Sequence, residues 1–117
     1  MSELLAANPD AVKGFLRAYA KGMKDVIDDP DAAVALLLEK FPDKTNEEGK
    51  KSTEWSVGKY AESWKQSAGT TGLLTFTDEG WKSTKDAIVQ GGLTNGEDID
   101  ISKLYTTDFL PSPPITP

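Results

Sequence analysis

Three groups of residues in this 117-residue chain have side chains suited to chemistry: clustered carboxylates, one Gly/Thr loop and a set of large aromatics. The carboxylates form two runs, Asp28-Asp29 with Asp31, and Glu97-Asp98 with Asp100. A calcium loop needs acids at alternate positions, a central glycine and a closing glutamate, and neither run has that order. Acids next to helix starts and turns complement the helix dipole and cap backbone N–H groups, which is the reading these runs fit. Paired carboxylates act as general acid and base only where their surroundings separate their pKa values, and no pattern here isolates two of them in that way. Gly69-Thr70-Thr71-Gly72 lacks the Gly-Lys-Ser/Thr ending of a phosphate loop and does not sit between a strand and a helix. It reads as a connecting loop.

The chain has no cysteine and no histidine. That removes disulfides, thiolate metal sites and a cysteine nucleophile. It also removes the usual general base and every Ser–His–Asp or Cys–His arrangement. No catalytic residue, metal ligand or cofactor is assigned, and the chain is read as non-enzymatic. Trp55, Tyr60, Trp64 and Trp81 remain. Aromatics at helical spacing build cores more often than clefts. Trp55 and Trp64 are nine residues apart and are read as sharing a face only roughly. Trp55 is the one candidate ligand-binding residue.

A formal net charge of −6 argues against a nucleic-acid partner, which requires clustered lysine and arginine. Lys50 and Lys51 directly follow Glu47 and Glu48, so that basic pair reads as a solvated helix face. No apolar run approaches the ~20 residues that cross a bilayer, and membrane insertion is not expected. Met1–Ala7 has neither a basic segment nor a long apolar stretch, so it is no secretory signal. The chain as it stands is therefore read as cytoplasmic, unless a signal lies on another part of a longer parent.

The elements that would position these residues are helical. Asn8-Pro9 caps and opens a helix, in which Val12, Phe15, Leu16, Tyr19, Met23, Val26 and Ile27 recur at spacings of three and four. Asp29-Pro30 repeats the start signal, and Val34, Leu37, Leu38 and Phe41 mark one face up to Pro42. Thr45 and Glu48 suggest a capping box for a third helix running to about Gln66, with a break near Val57-Gly58. Leu73–Phe76 has the composition of a short extended piece. Thr77-Asp78-Glu79 caps a fourth helix that carries Trp81 and Ile88, and Gly91-Gly92 closes it. Asn95–Asp98 reads as a turn, and Ser102–Tyr105 as one further helical turn. The reading is all-α: four main helices and a short C-terminal turn in one domain, residues 1–110, followed by a loose Pro-rich tail, residues 111–117. The core is expected on the Val12/Phe15/Tyr19, Leu37/Phe41, Trp55/Trp64 and Trp81/Ile88 faces.

Several segments, in order, carry a resemblance. Asn8-Pro9-Asp10-Ala11-Val12-Lys13-Gly14-Phe15-Leu16-Arg17-Ala18-Tyr19-Ala20-Lys21-Gly22, Asp29-Pro30-Asp31-Ala32-Ala33, Gly72-Leu73-Leu74, Gly80-Trp81, Gly91-Gly92-Leu93 and Asp100–Pro111 follow one another in this chain. The set resembles the solute-binding proteins of ABC importers that handle nitrate, sulfonates, taurine and the pyrimidine precursor of thiamine. Such proteins are roughly three times this length, with two α/β lobes around a ligand cleft. The resemblance implies a C-terminal helical segment of that fold, a partial lobe completed by self-association. It also implies a periplasmic location, an ABC permease as partner of the parent protein, and a small anionic or heterocyclic solute. The competing expectation is a stand-alone helical interaction protein that has lost ligand binding.

Overall fold

A computed structural model describes residues 2–69, 71–94 and 100–117. Five α-helices occur among them: α1 (Ser2–Ala7), α2 (Pro9–Asp28), α3 (Pro30–Lys40), α4 (Glu47–Ala68) and α5 (Asp78–Gln90). Two 3-10 turns, Pro42–Lys44 and Ile101–Lys103, complete the set, and no strand occurs among the described residues. The chain is all-helical, and its four long helices are those that the capping signals delimit. The short α1 was not marked by any such signal. Residues 95–98, expected to form a turn, lie outside the described residues.

Local chemistry explains most boundaries. Asn8 accepts the Ala11 N–H at 3.3 Å, and Asp29 accepts the Ala32 N–H at 3.0 Å, each followed by proline at the first helical position. Thr77 accepts the Gly80 N–H at 3.1 Å to open α5. The start of α4 departs from expectation, because Thr45 is not the cap. The N–H and hydroxyl of Thr45 both donate to the Pro42 carbonyl, which closes the preceding 3-10 turn. The next residue, Asn46, is the extended one, and its side chain accepts the Gly49 N–H at 2.7 Å. Nor does α4 break at Val57-Gly58: it continues to Ala68, anchored by the buried Val57 and Ala61 on either side of Gly58. Leu73–Phe76 forms a turn and loop, with Leu74 at φ +64.

The helices α2, α3 and α4 pack on one another, while α5, among the described residues, packs on the Ile101–Lys103 turn and on no other helix. Ala20 and Met23 of α2, Ala68 of α4 and Leu73 form the buried centre, surrounded by Ile27, Trp64, Leu74 and Ile115. Small residues at the α2–α4 contact allow close approach of the two backbones. The large residues of the expected α2 face then fall outside that contact, and Phe15 and Tyr19 are exposed, as are Leu37, Phe41 and Trp55. A second, purely aromatic cluster holds the C-terminal part: the rings of Trp81 and Tyr105 stack at 5.4 Å, with Phe76 edge-on to both. The Pro-rich end lies against the helices. Leu73 N–H donates to the Ile115 carbonyl at 2.7 Å, and the Arg17 guanidinium donates to the Ser112 carbonyl at 3.0 Å.

The resulting body leaves much of its surface uncovered. Its radius of gyration is 17.7 Å, whereas a compact domain of this length has about 13 Å. Its accessible surface is 8710 Å², against about 6,200 Å² for a compact monomer of 12.7 kDa. The surplus, about 2,500 Å², includes most of the large apolar side chains read as core.

Candidate functional site

An open groove of about 610 Å³ lies between α3 and the first half of α4. The 3-10 turn at Pro42–Lys44 joins the two helices, and its Asp43 and Lys44 are part of the lining. Gly49 packs against that turn: a Cβ there would lie 2.5 Å from the Lys44 carbonyl oxygen. Leu37 of α3 and Phe41, which caps the end of that helix, line the groove together with Ser52, Ser56, Val57 and Tyr60 of α4. Asp43, Lys44 and Glu48 stand on its rim. The Thr53 hydroxyl donates to the Gly49 carbonyl at 2.8 Å, so it serves the helix rather than the open space.

Trp55 is not among the groove residues. It is 68% exposed on another side of α4. Trp64, by contrast, is partly buried against the core and stacks on Tyr60 at 5.5 Å. Nine residues amount to about two and a half turns of an α-helix, so the two indoles stand on opposite faces rather than on a shared one. The signal for the groove is less conspicuous: the Ser52/Ser56/Tyr60 spacing of four on α4, together with Leu37 and Phe41 and a glycine, Gly49, packed against the Lys44 backbone.

The carboxylate runs serve local structure. Asp29 caps α3, and Asp28 pairs with Lys24 at 3.1 Å. Asp100 caps the Ile101–Lys103 turn, and the Ser102 hydroxyl, 2.6 Å away, together with Lys103, holds its carboxyl below the usual range. Glu62 is lowered in the same way by its hydrogen bond and charge pairing with Lys59. Glu97 and Asp98 lie outside the described residues. Among the described residues there is no group of three or more Asp and Glu placed to hold a metal. No helix among them is long and apolar enough to cross a membrane. Gly69, at φ +46, ends α4, and the Thr71 hydroxyl donates back to the Ala68 carbonyl, so this loop is a helix terminator.

Residues 1–33 match the family described as NMT1/THI5 like. That stretch covers α1, α2 and the start of α3. Over 112 residues, 92% of this chain, the sequence is 30% identical to the riboflavin-binding protein RibY of Chloroflexus aurantiacus. The chain is related to the NMT1/THI5-like solute-binding proteins. It spans 30% of the length of RibY. No solved structure matches the chain. The match to the NMT1/THI5-like family includes the Asn8–Gly22 segment, whose Asn8 and Pro9 open α2 and whose Ala20 is fully buried in the core.

Proposed function

We propose that this chain is the non-catalytic helical part of the solute-binding component of an ABC importer, the C-terminal piece of a longer two-lobed protein. The observation that carries the reading is the mismatch of coverage. Almost the whole chain aligns with RibY, yet it accounts for under a third of that protein. The uncovered apolar faces of α2, α3 and α4 fit the same reading, since helices that lie on a sheet in a complete lobe expose such faces without it. In the parent, the helices would support the lobe whose closure traps solute, with an ABC permease receiving it on the periplasmic side. The solute would be a small anion or heterocycle, and the name of RibY adds riboflavin to that set. Trp55, exposed and without a ring partner, is the residue of this chain proposed to reach the ligand.

The test has two arms. Titration of the isolated chain with riboflavin, nitrate, taurine and an aminopyrimidine should give no measurable heat, because one partial lobe encloses no ligand. RibY carrying this chain in place of its own matching segment should still quench riboflavin fluorescence, and Trp55→Ala in that chimera should weaken the quenching. Tight binding of any of these solutes by the isolated chain would refute the reading.

A further inference from the structure

The chain leaves the three-helix body for α5 and returns to it at one place. Phe76 stands just before α5 and Tyr105 just after the Ile101–Lys103 turn, yet their ring centroids are 4.9 Å apart. Trp81 of α5 stacks on Tyr105, so the rings close α5, the turn and both chain ends into one unit. Among the described residues α5 packs on that turn and on none of the helices α1–α4. Two neighbouring segments therefore carry the unit. They are fastened together on the body side. The N–H of the buried Leu73 donates to the Ile115 carbonyl at 2.7 Å, and Ile115 packs against the core of Ala20, Met23, Ala68 and Leu73. A Cβ on Gly72 would lie 2.7 Å from Pro114 Cβ, so the two backbones touch there as well. Pro111 is buried, and the exposed Arg17 of α2 donates to the Ser112 carbonyl at 3.0 Å.

We propose that residues 111–115 are a strap that sets the direction of the α5 unit, and that opening the strap lets the unit swing as one body. The pivot is the loop Gly72–Thr75. Its own bonds do not involve the strap: the Thr75 hydroxyl donates to the Gly72 carbonyl at 2.6 Å and meets the Thr71 hydroxyl at 3.0 Å. The loop thus stays a turn when the strap leaves, while α5 keeps its ring contacts. The strap is the weaker fastening, because an extended surface segment opens more readily than a helix whose bonds are internal. The inference stands apart from the transport reading, which solute binding tests.

The chain has no cysteine, so Ser63→Cys in α4 and Ser83→Cys in α5 provide two exposed sites for spin labels on the full chain. Double electron–electron resonance should give a narrow distance distribution between them. Ile115→Asp, which places a charge against the core, should broaden it. The same variant should speed amide exchange at Leu73 at least about tenfold and leave exchange within α5 unchanged. Arg17→Gln removes only the surface bond to Ser112 and should act in the same direction more weakly; it decides the matter if Ile115→Asp does not fold. A broad distribution before any substitution would overturn the proposal. So would faster Leu73 exchange with label distances unchanged, or a loss of α5 protection alongside that of Leu73.

Discussion

Two glycines in α4 allow the same substitution to be tried in opposite surroundings. Gly49→Ala and Gly58→Ala each add one methyl group to the same helix. At Gly58 the new methyl meets nothing within 4 Å, so the change should express helix propensity alone and stabilise by about 0.8–1 kcal/mol. At Gly49 the methyl would sit 2.5 Å from the Lys44 carbonyl oxygen and 2.9 Å from its carbonyl carbon and Cα. Those are backbone atoms of the turn that fixes the start of α4, and they cannot move aside as a side-chain tip would. Relief requires opening the turn or losing the Asn46 cap, which accepts the Gly49 N–H. Overpacking of this kind costs about 1–3 kcal/mol, more than the propensity gained. Gly49→Ala should therefore destabilise by up to about 2 kcal/mol, leaving the two variants roughly 1–3 kcal/mol apart. Urea titration followed by circular dichroism at 222 nm measures both, at one fixed chain concentration because association shifts apparent stability. Equal stabilisation by both substitutions would mean that the Lys44–Gly49 approach does not exist, and the geometry of the groove would fall with it.

Asn46→Ala should cost about 1 kcal/mol of stability through loss of the α4 cap, while Glu48→Ala should cost less, because Glu48 completes no capping box; denaturant midpoints would show the order. Gly72 has φ +111 and a Cβ there would meet Pro114 Cβ at 2.7 Å, so Gly72→Ala should destabilise and should detach the C-terminal segment, read as faster amide exchange at Leu73. Asp100 should titrate below its ordinary value by NMR, and Ser102→Ala should raise it. Its sign is that of a depressed carboxylate: any stability it adds is present above its unfolded-state pKa and is lost as pH falls through the lower folded value. Stability between pH 6 and 8 should therefore be flat with respect to this group, and a sloping profile assigned to Asp100 there would contradict the hydrogen bonds seen.

Helix existence and helix ends were legible in the residues, because caps and prolines act on backbone groups one to four positions away. Asn8-Pro9, Asp29-Pro30 and Thr77 each satisfy N–H groups within their own first turn, so nothing distant had to be known. The α4 cap shows the limit of that argument. Thr45 and Asn46 are both good caps, and the choice fell to Asn46 because the preceding Pro42–Lys44 turn had already engaged Thr45. Faces were less legible than helices. The α2 stripe contains both the buried Met23 and the exposed Phe15 and Tyr19, the fully buried Ala20 was not in it, and periodicity does not say which part of a wide stripe meets a neighbour. The groove was not visible at all, since its lining comes from two helices and the turn between them.

From the residues alone follow the all-helical class, the absence of histidine and cysteine chemistry, and the kinship written in short ordered motifs, because each depends on residue identity or on neighbours in sequence. The tertiary structure decided which apolar residues are covered and where the concavity lies. Those outcomes depend on how closely two helices approach, and that distance is set by small residues far apart in the chain meeting at one contact.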